Sequence, residues 1–439
     1  MTKQPLINGT IVKESMDEMH MESVGRASIR EIVRLVNKVE EKTGVKFIRM
    51  EMGVPGLDAS EIALEAEIKA FKAGMASKYA PIEGVKVLKE EISRFVKLFL
   101  DIDIKPEYCF SSVGSAQASI ALFMVANRID AEKRGVLFID PGFPVQKLQI
   151  QVLGYKYDTF DVFDYRGQKL RTKLEELIIE KKVTSILYSN PNNPTWISFT
   201  DEELQIIGEL ATKHGVIIIE DLAYFGMDFR KDYCNPGRAP YQPTVAKYTD
   251  NWTMLISSSK AFSYAGQRVG MLVVSEKVYN SRYPDLKRYF STDYFGHSLV
   301  YNALYSLSAG VSHTPQYGLA ALLKAVNDGT YNFKKDVMIY GERAKITKKM
   351  FLNNGFKIVY DNDMGEPLAD GFYYTISYPG MTGDELLFNM ICHGIGAIAL
   401  QTCGSERTEG LRACVSQIGE HLYPVLEERL KLFHQNFPV

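Results

Sequence analysis

The sequence predicts an α/β protein: a large domain with a mostly parallel sheet covered by helices, then a smaller α/β domain at the C-terminus. Three observations predict it. Short runs rich in Val and Ile, bounded by turn residues, fall at residues 136–139, 183–187, 216–219, 254–256 and 271–274. Amphipathic helical patterns at 115–127 and 200–214 separate some of these runs. Strands alternating with helices imply a largely parallel sheet buried on both faces. The chain of 439 residues also exceeds the ~250–300 at which a single core stops growing, so two domains are expected.

Each element has a local reason. Residues 28–44 read as an amphipathic helix, with Ile29, Ile32, Val33, Val36 and Val39 on one face and Gly44 as the stop. Helical patterns at 60–76 and 85–98 enclose a short loop that carries Tyr79. From about 52 to 308 the strand–helix alternation dominates. A long helical stretch at 332–353 follows, and then a second alternation runs to the C-terminus. The expected division is an N-terminal segment 1–50 packed on the small domain, a large domain 51–310 and a small domain 311–439.

Composition narrows the function class. A net charge of −2 gives no electrostatic footprint for nucleic acid or an anionic membrane. Long uncharged stretches such as 108–127 are studded with Ser, Gln and Gly and do not read as membrane spans. Residues 1–10 lack a basic region followed by an apolar one, so no signal peptide is expected. The five cysteines are scattered with no C-x-x-C pair, which predicts free thiols in a reducing compartment and no metal site. The cytoplasm is the expected location.

The chemistry concentrates at strand ends, where parallel α/β sheets bind ligands. Ser257-Ser258-Ser259-Lys260 follows the apolar run 252–256, with Arg268 eight residues beyond Lys260. A lysine there can form a Schiff base with a cofactor aldehyde while hydroxyls and a guanidinium hold a phosphate, which points to pyridoxal 5′-phosphate. Asp221 and Tyr224 follow the strand pattern ending at 219; the carboxylate can keep a pyridine nitrogen protonated and the phenol can reach the ring oxygen. A strand-terminal acid that merely caps a helix is the competing reading. The stiff turn Asn190-Pro191-Asn192-Asn193-Pro194-Thr195 aims side-chain amides into the crevice. Gly114-Ser115-Ala116 opens a helix whose free N–H groups suit an anion, although Gly-Ser before a helix is also a common cap. Phe143, in Asp140-Pro141-Gly142-Phe143, can lie on a pyridine ring or be plain core. Arg412 sits inside the apolar run 411–415 and calls for an anionic partner, either a bound carboxylate or a structural acid.

Taken in this order, these residues resemble the fold-type I pyridoxal-phosphate aminotransferases of classes I and II, whose fold is the aspartate-aminotransferase one. The resemblance runs from about Gly53 to Arg412. It implies that Lys260 is the Schiff-base lysine and proton shuttle. Asp221 pairs with the pyridine nitrogen, and Tyr224 and Asn193 bond the ring oxygen. Gly114, Ser115, Ala116, Ser257, Ser259 and Arg268 hold the phosphate, and Phe143 stacks on the ring. Gly53, Asn193 and Arg412 bind the substrate carboxylate. Tyr79 reaches the phosphate of a neighbouring subunit, so a homodimer with shared sites is implied. The implied activity is ping-pong transfer of an amino group between an L-amino acid and a 2-oxo acid, with a β-lyase acting on cysteine-like substrates as the alternative on the same fold. Trp196 stands where the family usually has glycine, and Leu400-Gln401-Thr402-Cys403-Gly404 departs from the usual C-terminal loop. Arg288 lies in a region suited to a second substrate arginine, but nothing local identifies it. The Ser257-x-x-Lys260 spacing also matches serine β-lactamases, but their remaining motifs fall here in reversed order. A transcription regulator on this fold needs a DNA-binding domain for which residues 1–25 leave no room and no basic cluster.

Overall fold

The computed structural model describes residues 4–133 and 135–439; the first three residues of the expected N-terminal segment lie outside them. Seven strands form the main sheet: β1 Cys109–Ser112, β2 Gly135–Asp140, β3 Lys156–Asp161, β4 Val183–Ser189, β5 Ile217–Leu222, β6 Trp252–Ser257 and β7 Gly270–Val274. Their spatial order is β1-β7-β6-β5-β4-β2-β3. The neighbours from β3 through β6 pair in parallel, and β7 runs antiparallel to both β6 and β1. All five expected strands form. The two unexpected ones lie at the edges, where the hydrophobic signal is weakest: β1 ends in two serines and β3 begins on an exposed Lys156.

Alternate residues of the central strands feed two separate cores. Leu137, Ile139, Ile186, Ile218, Met254, Ile256 and Val273 join one cluster. Val136, Phe138, Leu187, Ile217, Ile219, Leu255 and Val274 join the other. This is the double burial that the continuous apolar runs predict, because successive side chains point to opposite faces.

The C-terminal part carries its own antiparallel sheet, made of β8 Lys357–Ile358, β9 Tyr373–Ser377, β10 Ile398–Ala399 and β11 Leu411–Cys414, in the order β10-β11-β9-β8. Helices Phe333–Asn353, Gly383–Cys392 and Tyr423–Asn436 accompany it. The N-terminal segment packs here. The Ile7 amide donates to the Cys392 carbonyl, and Ile48-Arg49 pairs in parallel with Ile395-Gly396. The intervening helix Ile29–Thr43 has the stops its sequence suggests: a Ser28/Glu31 capping box at the start and Gly44 at φ 72° at the end. Helix His313–Asn327, in contrast, packs on Glu61–Lys72 and Lys86–Leu100 beside the large sheet.

Candidate active site

The rim where β2, β4, β5 and β6 end collects nearly every candidate. β1 ends at the same rim and β7 begins there, because Ser257 and Ser112 both pair with Gly270. The chain therefore delivers the Ser257–Lys260 turn, the Gly114 turn and Arg268 to one corner of the sheet. Ser257 caps the short helix Ser258–Ala261 by accepting from the Ser259 amide at 3.1 Å. Gly114 adopts φ +64°, and a Cβ built on it falls 2.5 Å from an Arg268 Nη. The positive φ favours glycine here, and the missing side chain leaves room for the guanidinium. The helix Gly114–Ala126 begins without a side-chain cap, so the first-turn N–H groups of Ser115 and Ala116 face the same corner as the guanidinium.

Lys260 Nζ donates to the carbonyl of Gly53 and lies 5.3 Å over the ring of Phe372. Burial pushes its amine down to about 8, because desolvation disfavours the charged form. Asp221, at the end of β5, accepts from Gln146 Nε2 at 2.8 Å and from the Ala223 amide at 3.1 Å. Neither partner is a cation, and burial raises the carboxyl to about 6. Tyr224 donates to the hydroxyl of Tyr373 at 2.9 Å.

Arg412 is 1% exposed. Its guanidinium donates to the Glu51 carbonyl at 2.9 Å and to Asn193 Oδ1 at 3.4 Å, and sits 4.6 Å over the ring of Tyr373. Nε has no partner, and no carboxylate meets this guanidinium among the described residues. A buried cation held only by neutral groups is costly and is ready for an anion. The competing expectation of a structural acid beside Arg412 therefore finds no support in its surroundings.

The structure brings Lys260, Gly53, Tyr224, Asn193 and Arg412 into one connected group, with Asp221 at the same rim. Phe143 caps the helix Pro144–Val152, whose Gln146 bonds Asp221. Tyr79 is 93% exposed beside the segment 308–314. Arg288 makes a surface ion pair with Asp285 at 3.0 Å. The Leu400–Cys403 turn ties to the Phe143 loop: the Gly142 amide donates to the Cys403 carbonyl, as does Lys147, which also pairs with buried Asp140 at 2.6 Å. Sequence reasoning misses Gln146, Phe372 and Tyr373. The run Phe372-Tyr373-Tyr374 reads as strand core, and its adjacency to Arg412 arises only through the antiparallel pairing of β9 with β11.

Trp196 is also explained here. It adopts φ 65°, a left-handed conformation that favours glycine. Its indole is buried against Gly371, where a Cβ falls 2.0 Å from the ring. The ring packs edge-on at 5.2 Å from Tyr224 and 6.2 Å from Tyr373.

A strand-end lysine, a cation-free buried acid, a glycine-arginine anion seat and an unpaired buried arginine define a site for an anionic, ring-bearing cofactor and an anionic substrate. The profile of the aminotransferase class I and II family matches residues 45–364, and the chain belongs to that family. The chain is 28% identical over 238 residues to a probable aspartate/prephenate aminotransferase of Aquifex aeolicus, covering 53% of this chain and 57% of the relative. It is 25% identical to an aspartate aminotransferase of Bacillus subtilis, covering 54% and 58%. The matched stretch thus spans little more than half the length of these relatives. The fold extends further. An aspartate aminotransferase of Thermotoga maritima superposes with TM-score 0.74 at 18% identity, covering 93% of this chain and 97% of that one. An alanine aminotransferase of Pyrococcus furiosus gives 0.72 at 20%, covering 92% and 96%. The family's cofactor is pyridoxal 5′-phosphate, and the residues present fit it: the seat at Gly114 and Arg268 suits its phosphate, and Asp221 lacks the cation that a pyridinium supplies.

Proposed function

We propose that this protein is a pyridoxal-phosphate-dependent aminotransferase that moves an amino group between an L-amino acid and a 2-oxo acid by a ping-pong mechanism. The observation that carries the reading is Arg412, a fully buried guanidinium without an acid, two residues from Cys414 and within the same cluster as Lys260. When bound, the cofactor supplies an electron sink for the carbanion formed at the substrate α-carbon. Lys260 would hold the cofactor and would move the proton at the substrate α-carbon. An amine pushed down to about 8 has a substantial neutral fraction near neutral pH, as a base requires. Asp221 keeps the pyridine nitrogen protonated, and Tyr224 and Asn193 donate to the ring oxygen. Gly114, Ser115, Ala116, Ser257, Ser259 and Arg268 hold the phosphate, and Phe143 covers the ring. Arg412, with Asn193 and the backbone at Gly53, orients the substrate carboxylate. The names of the relatives support aspartate as the first amino acid to test and prephenate as an amino-group acceptor.

The active unit in this reading is a homodimer with Tyr79 reaching the partner's phosphate; the exposure of that ring in a single chain supports it. We place the protein in the cytoplasm. The described residues contain no helix long and apolar enough to cross a membrane, and the free cysteines fit a reducing compartment. We propose the same three-part division as the sequence suggests, with one change. The packing of His313–Asn327 on the large sheet's helices supports a last boundary at about 330 in place of 310.

The test is incubation of the purified protein with a panel of amino acids while its cofactor spectrum is followed, then addition of 2-oxoglutarate. Conversion to the pyridoxamine form and its reversal support transamination. Release of pyruvate and sulfide from cysteine, with no such conversion, supports the lyase and overturns it.

A further inference from the structure

Tyr373 touches three of the groups that the reaction uses. Its hydroxyl receives the hydrogen of Tyr224 at 2.9 Å, and its ring lies under the Arg412 guanidinium at 4.6 Å. It also crowds Gly53, where an added Cβ falls 2.0 Å from its oxygen. The ring of Trp196 closes another side at 6.2 Å. A phenol held between a glycine backbone, a guanidinium and an indole cannot swing its oxygen away without disturbing all of them. The residue is 3% exposed, and its hydroxyl has Tyr224 as its hydrogen-bond partner.

Each phenol has one hydrogen. In this structure Tyr224 spends its own on Tyr373. A cofactor ring oxygen that takes the Tyr224 hydrogen leaves the Tyr224 oxygen free to accept, and Tyr373 has a hydrogen with which to reverse the bond. No proton is gained or lost; both hydroxyls rotate. A phenol that accepts a hydrogen bond is a stronger donor, because chains of hydrogen bonds polarise one another in a low dielectric.

We propose that Tyr373 is a positioning residue that acts on the cofactor ring oxygen through Tyr224, as the rear donor of a two-phenol relay. The inference rests on the aminotransferase reading above and deepens it. The bland alternative is a core tyrosine whose hydroxyl merely needs a partner. That alternative predicts a stability effect only. The relay favours the negatively charged form of the ring oxygen, so it lowers the pH at which the visible band of the bound cofactor titrates. The titratable and charged groups around the two phenols are Arg412 and Cys414 on β11 and Cys403 on the 400–403 turn, with Lys260, on the short helix after β6, bonded to the Gly53 that Tyr373 crowds. None of them is altered by the test.

The experiment is a spectrophotometric pH titration of reconstituted holoprotein. Borohydride reduction and peptide mapping come first: failure to fix the cofactor on Lys260 sinks the aminotransferase reading itself, not the relay. Given that fixation, Tyr373→Phe keeps the ring beneath Arg412 and should raise the titration midpoint by about 0.3 pH unit, a tenth to a third of one charged hydrogen bond. Tyr224→Phe should raise it further, and the double variant should match Tyr224→Phe alone. Tyr373→3-fluorotyrosine, nearly isosteric and a stronger donor, should move the midpoint the other way and covers the case in which Tyr373→Phe fails to fold. No shift in any Tyr373 variant, or a Tyr373→Phe shift that survives in the Tyr224→Phe background, overturns the proposal.

Discussion

Arg412→Met separates a substrate clamp from a structural charge more cleanly than any other substitution in this chain. Breaking a buried ion pair by removing one partner costs about 3–5 kcal/mol, because the other charge is left stranded. Arg412 strands no charge, only the Glu51 carbonyl and Asn193 Oδ1 that accept from it. Its guanidinium has one good hydrogen bond, to the Glu51 carbonyl at 2.9 Å, a longer one to Asn193, an unpartnered Nε and the face of Tyr373. One charge-assisted hydrogen bond contributes about 1.5–3 kcal/mol and the ring face about 0.5–2. Against these stands the desolvation of a buried cation, several kcal/mol after relaxation. The terms nearly cancel, and methionine fills similar space. Because two acceptors lose their donor, urea unfolding of the apoprotein should give a stability no more than about 2 kcal/mol below wild type. Catalysis should behave otherwise. Loss of a desolvated charge pair with the substrate carboxylate costs about 2–5 kcal/mol, so kcat/KM should fall roughly 30-fold to several thousand-fold. An amine lacking the carboxylate should be handled about equally by both proteins. A stability loss of 3–5 kcal/mol, with equal effects on both substrates, refutes the clamp.

Three further outcomes are expected. The buried Lys260 amine titrates near 8 in the folded apoprotein and near 10.5 when unfolded. The unfolded chain thus binds the extra proton between these values, and the Lys260 contribution to stability, read as the difference between the wild-type and Lys260→Met curves, should rise with pH across that window by up to about 3 kcal/mol. Lys260→Met should lack the rise; parallel stability curves count against the burial argument. Trp196→Gly relieves a left-handed residue of roughly 1–2 kcal/mol but empties a site that buries about 150–250 Å² of indole, or about 4–6 kcal/mol. A net loss of about 3 kcal/mol should appear in urea unfolding, and a stabilised variant sinks the packing account. Mixed dimers of Tyr79→Phe and Lys260→Ala chains should recover up to about half of wild-type activity per heterodimer, since one composite site stays intact. Activity no higher than that of Tyr79→Phe alone places the hydroxyl within its own subunit.

The strands β2, β4, β5, β6 and β7 were legible because double burial writes itself as short continuous apolar runs bounded by turn residues. The edge strands β1 and β3 were not, since a strand with one neighbour tolerates serine, lysine and threonine. Lys260, Asp221, Asn193 and Arg268 could be picked out because each follows a strand or turn whose local sequence already sets its position at the sheet rim. Tertiary structure alone decided the rest. Tyr373 and Phe372 lie more than a hundred residues from Tyr224 and Lys260, and only the docking of β9 beside β11, with Gly53 against them, brings them together. The same holds for Arg412: its sequence shows an arginine in an apolar strand, which fits a buried ion pair as well as a ligand clamp. Only its neighbours distinguish the two, because the cost of a buried charge depends on what surrounds it in space and not on what adjoins it along the chain.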